Sequence, residues 1–388
     1  MSVIVPGIDT PSSTAAVRSL GRHGIGTIVA DHGWSPAGAS KYCDQRVGVP
    51  APAVDLAGYG DALLSLSRRP DVLTIVPLTE ADVYVLATRR EEFSPHIATL
   101  WPDSETVETA QDRLRLFEVA RAAGLTVPRT TTLAEYDRWD GPTVVKPRYT
   151  VLEVDGRADS PEVRLLPGGT EPDRDAFREG MHHTPLVQEY VPGTEEVGFF
   201  ALFDRGTPLA TFQHRRVRSY HYTGGASVYR VAVDDPESRS AGLAVLEALE
   251  WHGPAMVEFK RDPRTGALTL MEVNPRFWGS LALAIHAGVD FPYHYYRLAA
   301  GDPVERPPTY EVGVSSHVLR GELVYLLSLL RDDGSPGERP ALGSELAAVV
   351  RSVLTHPEFD YCSLDDPRPF LADLWNTTRE AIRQAERP

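Results

Sequence analysis

The sequence predicts an α/β unit at the N-terminus, an α+β unit rich in antiparallel hairpins after it, and a mostly helical C-terminal stretch. Three observations predict this order. β-Branched runs alternate with helical periodicity at the start. Strand pairs then flank the turns Asp204-Arg205-Gly206 and Asp262-Pro263-Arg264-Thr265-Gly266. From about Glu311 the texture is helical, with Pro/Gly breaks at 334–343.

The elements follow in chain order. Val3-Ile4-Val5 is a short strand ending at Pro6-Gly7, and Ser12 or Ser13 can cap a helix through Ala15, Val17 and Leu20 to His23. Gly24 and Gly26 close that helix, and Thr27-Ile28-Val29-Ala30-Asp31 is the next strand, completing a βαβ unit. Val72-Leu73-Thr74-Ile75-Val76-Pro77 is a later strand, followed by helical runs at 80–90 and 112–123. A change of texture puts the first boundary near Val127-Pro128-Arg129. Thr143-Val144-Val145-Lys146-Pro147 then reads as a buried strand with a lysine at its end, and Leu186-Val187-Gln188-Glu189-Tyr190-Val191 as a strand stopped by Pro192-Gly193. Residues 197–203 and 208–214 form one hairpin and 254–260 and 267–274 a second, with helices at 238–249 and 280–287.

Composition excludes several functions. The chain has 388 residues, 39 basic against 54 acidic, for a net charge of −15, so a nucleic-acid partner is not expected. Only Cys43 and Cys362 are present, which excludes a disulfide scaffold and a cysteine zinc site. No apolar run has the length of a membrane span, and the first residues lack the pattern of a signal peptide. The expectation is a cytoplasmic protein without a membrane partner.

The chemistry concentrates in Met271-Glu272-Val273-Asn274-Pro275-Arg276. Side chains two apart on a strand share a face, so Glu272 and Asn274 can offer oxygen to one hard cation while Arg276 binds an anion beside it. Glu258 and Glu272 flank the hairpin turn and can sit opposite each other, where like charges are unfavourable unless a cation lies between them. A solvated hairpin is the alternative, and the apolar neighbours Met256, Val257, Phe259 and Leu270 argue against it. Lys146 at a strand end can meet phosphate as a point charge, though a surface lysine is the plainer reading of that residue alone. Glu189 and Glu196 frame a strand-to-loop segment suited to an adenine edge and ribose hydroxyls, against an ordinary acidic turn. His214-Arg215-Arg216-Val217-Arg218, followed by Gly224-Gly225, suits phosphate or carboxylate, with solvated arginines as the alternative. Arg113 begins the helix before the boundary and is equally readable as exposed. His182-His183 reads as solvated rather than metal-binding. The loop at 7–13 and the aromatic stretch at 291–296 can line a pocket, the latter more simply as helix packing.

Other constellations fail. There is no Gly-x-x-x-x-Gly-Lys-Ser/Thr loop, no Gly-x-Ser-x-Gly elbow and no His-Glu-x-x-His pair. The turn Pro6-Gly7-Ile8-Asp9-Thr10 lacks the dinucleotide glycine pattern.

In combination and order these residues resemble the ATP-grasp superfamily. The likeness is to its carbamoyl-phosphate-synthetase-like and D-alanine-D-alanine-ligase-like carboxylate–amine ligases, from the N-terminal unit to about residue 300. The resemblance implies a preATP-grasp domain at 1–108, a two-lobed ATP-grasp domain at 109–310 (small lobe about 125–190, large lobe about 191–310) and a helical extension at 311–388. It implies ATP and Mg²⁺ as cofactors, with Mn²⁺ as a substitute. Lys146 and Arg113 would contact phosphates, Glu189 and Val191 the adenine edge, Glu196 the ribose, and Met271 the adenine face. Glu258, Glu272 and Asn274 would ligate the metal. Arg276 would steady the transferred phosphate and the acyl phosphate, and Arg215 is named with it as a catalytic candidate. Small-molecule carboxylate and amine substrates and a homodimer are further expectations. Two departures stand out: 148–170 is not the usual Gly/Ser-rich phosphate loop, and the tail with Asp365-Asp366-Pro367-Arg368-Pro369 lies outside the ATP-grasp core.

The reaction this implies is amide formation through an acyl phosphate, with release of ADP and phosphate. The alternatives are capture of the acyl phosphate by ammonia or a thiol, which product mass spectrometry separates, and a nucleotide- or metabolite-binding module without catalysis. The module would bind nucleotide without substrate-dependent ADP release.

Overall fold

The computed structural model describes all residues except 170, 194, 305–308, 331–338 and 386–388, with side chains after 379 likewise left aside. The end of the 148–170 segment and part of the break at 334–343 therefore fall outside the described residues.

The N-terminal unit is a parallel sheet in the order β3-β2-β1-β4, built from β1 (Ser2–Gly7), β2 (Gly26–Asp31), β3 (Gln45–Gly48) and β4 (Val72–Ile75). Successive strand side chains face opposite ways, and β1 shows why it is apolar throughout. Val3 and Val5 enter the core beneath helix α1 (Pro11–Arg22), while Ile4 enters a second core with α2 (Leu56–Ser67) and α3 (Glu80–Thr88). Thr10, not Ser12 or Ser13, holds the N-cap position of α1, with Pro11 in the first turn and no side-chain capping hydrogen bond; the Ser13 hydroxyl instead donates to the Pro6 carbonyl at 2.8 Å. The run expected at 80–90 breaks at Thr88, and a short α4 (Arg90–Phe93) follows. Helices α5 (Ser104–Gln111) and α6 (Arg113–Ala122) meet at Asp112, whose carboxylate caps α6 through the Leu114 amide at 3.0 Å.

An antiparallel sheet comes next, in the order β5-β10-β6-β9: β5 (Thr130–Thr132), β6 (Thr143–Lys146), β9 (Arg164–Leu166) and β10 (Leu186–Glu189). Between β6 and β9 the hairpin β7 (Leu152–Val154) and β8 (Arg157–Asp159) reaches the N-terminal unit, where the Leu56 amide donates to the Gly156 carbonyl at 2.9 Å. Helix α7 (Arg174–Met181) covers the outer face, over Val145 and Val187.

The largest sheet has the order β15-β14-β11-β12-β13-β16, from β11 (Glu196–Asp204), β12 (Thr207–His221), β13 (Gly224–Ala232), β14 (Gly253–Arg261), β15 (Leu268–Asn274) and β16 (Ser315–His317). One face packs on α6 and α8 (Pro236–Ala248) through Phe199, Ala201, Val257, Phe259, Leu270 and Val273. Part of the other face shares the core under α1, where Phe200, Phe212 and Trp278 meet α9 (Leu281–His286) and α10 (Phe291–Ala299). Phe291 and Tyr295 of the aromatic stretch are buried there, so it packs rather than lining an opening.

The region after 311 is mostly helical, as expected, with a strand added. Its Ser315–His317 segment is a strand on the edge of the large sheet, too short and polar to show alternation. Helices α11 (Leu319–Ser328), α12 (Leu342–Thr355) and α13 (Arg368–Ala385) follow. The segment between α12 and α13 straps the molecule together. Buried Arg18 of α1 donates to Asp366 at 2.9 Å and to the carbonyls of Asp360 and Tyr361, while Arg230 of β13 pairs with Asp360.

Candidate active site

Register decides which side chains meet. Cross-strand partners point to the same face. In the large sheet Glu258 is opposite Glu272, Met256 opposite Asn274, Gly198 opposite both Glu258 and His214, Glu196 opposite Lys260, and Arg216 opposite Arg230. One face therefore carries Glu272, Asn274, Glu258, Lys260, Glu196, His214 and Arg216, while the residues between them form the core on the other side. Gly198 sits in the middle of this face; a Cβ there would lie 2.4 Å from the Phe200 ring. A register shift after Glu258 leaves Met271 as the extra residue of β15, half-buried and outside the core clusters.

Groups from three other segments converge on this face. Arg113 at the start of α6 is buried; it donates to the Pro147 carbonyl at 2.8 Å and lies 3.5 Å from Glu272. Its neighbour Asp112 forms a two-pronged pair with Arg148 at 2.7–3.0 Å, just beyond Lys146. Arg276 follows β15, and each of its nitrogens is engaged: Nε with Glu80 at 2.8 Å, one terminal nitrogen with the Phe277 carbonyl at 2.9 Å, the other with Asn274 at 3.5 Å. Arg216 pairs with Glu196 and lies 3.9 Å from Glu258, and Lys260 lies 3.8 Å from Glu196.

The electrostatics are strained in one direction. Burial and the facing Glu272 push the Glu258 carboxyl up to about 7. Burial also raises Glu272, but Arg113 and Lys146 outweigh it and hold that carboxyl below its ordinary value. Burial and Arg113 bring the Lys146 ammonium down to about 8. Burial, with Arg230 and Arg216 nearby, keeps His214 well below the usual imidazole range. Among the described residues no three His, Cys, Asp or Glu side chains group as a metal cluster. The donor set here is two acids and an amide: opposed carboxylates, one lacking full compensation, with the Asn274 amide 3.2 Å from Glu272. That chemistry fits a hard divalent cation of the Mg²⁺ kind, which shares its shell with other oxygen ligands.

The structure brings Arg113, Lys146, Glu196, Glu258, Glu272, Asn274 and Arg276 to this site. Arg215 is a correction. It is exposed and pairs with Val197, so strand alternation turns it to the face opposite Arg216, which takes the inward position. Glu189 shares its strand face with Val187 of the outer core, opposite Lys146, and its carboxylate is held by Arg129 at 3.0 Å and Arg264 at 3.3 Å. The residue on the Lys146 face is Gln188, fully buried, whose side-chain oxygen has no hydrogen-bond partner. Val191 is buried just past this strand. Arg113 is not the exposed helical arginine that was its alternative; of the histidine pair, His182 is exposed and His183 is half-buried, its Nε2 accepting the Arg148 amide at 2.7 Å. Sequence reasoning missed Glu80, Gln111, Gln188 and Lys260, and it named Arg216 within the run His214–Arg218 without singling it out. Only Arg216 had a legible signal, the two-residue period from His214.

The similarity found is to ATP-grasp proteins. Within that class, residues 182–320 match the family described as "ATP-grasp in the biosynthetic pathway with Ter operon". The chain is 32% identical over 203 residues to the D-alanine–D-alanine ligase of Acidiphilium cryptum, a match over 47% of this chain and 64% of that protein. It is 24% identical over 269 residues to the carbamoyl phosphate synthase large chain of Thermotoga petrophila, covering 63% of this chain and 24% of that one. The fold superposes with TM-score 0.61 and 16% identity on the biotin carboxylase domain dimer of Hydrogenobacter thermophilus 2-oxoglutarate carboxylase, bound to MgADP, ADP and bicarbonate, over 81% of this chain and 73% of that one. The chain thus spans less than two thirds of these two relatives' own length. Among the described residues no helix is long and apolar enough to cross a membrane.

Proposed function

We propose that this chain is an ATP-dependent ligase that joins a small-molecule carboxylate to an amine through an acyl phosphate. The observation that carries the reading is the opposition of Glu258 and Glu272 in register, ringed by Lys146, Arg113 and Arg276. Two facing carboxylates among cations suit a metal-bound polyphosphate and little else.

Glu258, Glu272 and Asn274 would hold Mg²⁺, which supplies charge neutralisation to ATP phosphates. Lys146 and Arg113 add fixed positive charge, and Arg276 offers the N–H groups it does not use internally. A substrate carboxylate oxygen attacks the γ-phosphorus, the bond to the bridging oxygen breaks, and ADP leaves. The amine then attacks the acyl carbon, phosphate departs, and the amine proton is lost to solvent. The chain aligns the reactants and neutralises charge; no covalent enzyme intermediate is needed. We further assign 1–108, 109–310 and 311–388 as the three domains, with β16 of the last completing the large sheet.

The test is an ADP-release screen of the purified chain over pairs of carboxylic acids and amines with Mg²⁺, with products read by mass spectrometry. An amide whose formation matches ADP release is expected. ADP release matched only by a thioester or a primary amide from ammonia removes the amine assignment, and nucleotide binding without any substrate-dependent ADP removes catalysis.

A further inference from the structure

The corner Pro77-Leu78-Thr79-Glu80 joins β4 to α3 in the N-terminal unit, and it is held with unusual completeness. The buried Asp82 carboxylate accepts the Leu78 amide at 3.0 Å, the Thr79 amide at 2.7 Å and the Tyr59 hydroxyl at 2.6 Å. Thr79 and Asp82 also form a reciprocal capping box at the start of α3. A corner fixed on so many points cannot drift without breaking buried bonds.

This corner touches the large lobe at two consecutive residues. The Phe277 amide donates to the Pro77 carbonyl at 3.0 Å, and Arg276 Nε donates to Glu80 Oε1 at 2.8 Å. The second carboxylate oxygen of Glu80 accepts the Gln111 side-chain amide at 3.0 Å. Gln111 immediately precedes Asp112 and Arg113, the residues that hold Arg148 and reach Glu272. Glu80 therefore sits between the segments that carry Arg113 and Arg276, and both it and Arg276 are largely shielded, with side chains 14% and 23% exposed. A guanidinium has five N–H donors in a rigid plane, so fixing Nε fixes the whole fork.

We propose that Glu80 is a positioning residue: through Arg276 Nε it sets the orientation of the guanidinium, so that the N-terminal unit is a working part of the phosphoryl-transfer site rather than a separate substrate-holding module. This rests on the ligase reading for the role of Arg276. Charge alone does not require Glu80, which would weaken the pull of Arg276 on phosphate; its value is in aim.

The experiment compares Glu80→Gln, Glu80→Ala, Arg276→Ala and the Glu80→Ala/Arg276→Ala double variant in the full chain. Turnover is read as ADP release with a pair found in the screen, and ground-state binding as calorimetric affinity for a non-hydrolysable ATP analogue with Mg²⁺. A small misplacement of a positioned group costs roughly 10²-fold in rate. Glu80→Ala is expected to lose that much turnover and keep its analogue affinity. Glu80→Gln, whose amide oxygen still accepts from Nε, is expected to retain most activity, and the double variant to be no slower than Arg276→Ala. Wild-type turnover by Glu80→Ala, equal loss of affinity and turnover, or additive losses in the double variant would overturn the proposal. If the wild type itself releases no ADP, the ligase reading fails on its own. The contact is then judged by the Arg276 Nε–H resonance in proton–nitrogen spectra, assigned with Arg276→Lys. Glu80→Ala must shift that resonance and speed its exchange with water, and an unmoved signal rejects the positioning role.

Discussion

Glu258 and Glu272 stand directly opposite each other on adjacent antiparallel strands, both half-buried and on the same face. Two acids so placed repel, and burial together with that repulsion pushes the Glu258 carboxyl up to about 7. A site that tolerates this in isolation is built to be completed by a cation.

Replacing either acid by its amide removes repulsion without changing shape. Glu258→Gln is expected to melt no lower than the wild type in Mg²⁺-free buffer at pH 8, Glu272→Gln to melt lower because it leaves Arg113 and Lys146 without their anion, and both to lose on the order of 10²-fold or more of ADP release. Differential scanning fluorimetry and the coupled ADP assay check both halves. Wild-type turnover by either folded variant would remove it from the site.

Lys146 gives the pH dependence. Its ammonium falls from an ordinary 10.5 to about 8 in the folded chain, through burial and Arg113. A cation with a depressed pKa costs stability while it is charged. The native state binds fewer protons than the unfolded state between those two values, so this contribution to stability rises with pH across that window and the cost is present in full below about 8. A bound polyanion restores the charge. Binding of an ATP analogue near pH 8.5 (about half a unit above that value) is therefore expected to take up a proton at Lys146, seen as a buffer-dependent calorimetric enthalpy. Lys146→Met should abolish the uptake; an unchanged uptake would refute the assignment.

Arg215 and Arg216 separate by strand face alone. Arg216→Ala removes the partner of Glu196 and a neighbour of Glu258, and a charge-assisted contact of this type is worth about 1.5–3 kcal/mol, or roughly 10- to 100-fold in turnover or affinity. Arg215→Ala is expected to leave both unchanged. Steady-state kinetics of the pair decide it, and the reverse ranking would mean that the register of β12 is wrong.

The strap after α12 makes a stability prediction independent of the chemistry. Arg18 and Asp366 are 6% and 1% exposed, and Asp366 also accepts from Ser40 at 2.7 Å and from the Lys41 amide at 2.9 Å. Breaking a buried pair by removing one partner costs about 3–5 kcal/mol. Asp366→Ala is expected to lower the denaturant midpoint accordingly and to open the C-terminal region to limited proteolysis. A midpoint equal to that of the wild type would show that the strap is not tied there.

The sequence by itself determined the local facts. Val3-Ile4-Val5 had to be a short strand, the Asp-Arg-Gly and Asp-Pro-Arg-Thr-Gly turns had to make hairpins, and the period of two had to place Glu272 and Asn274 on one face of β15. These follow from side-chain alternation and turn chemistry, which act over a few residues. What only the tertiary structure decided were relations between distant segments: that Arg216 rather than Arg215 faces Glu258, that Gln188 rather than Glu189 shares the Lys146 face, that Ser315–His317 joins the large sheet, and that Glu80 reaches Arg276. None of these has a local signature. A register shift or a helix corner is fixed by the packing of the cores on either side, and that packing exists only once the chain has folded.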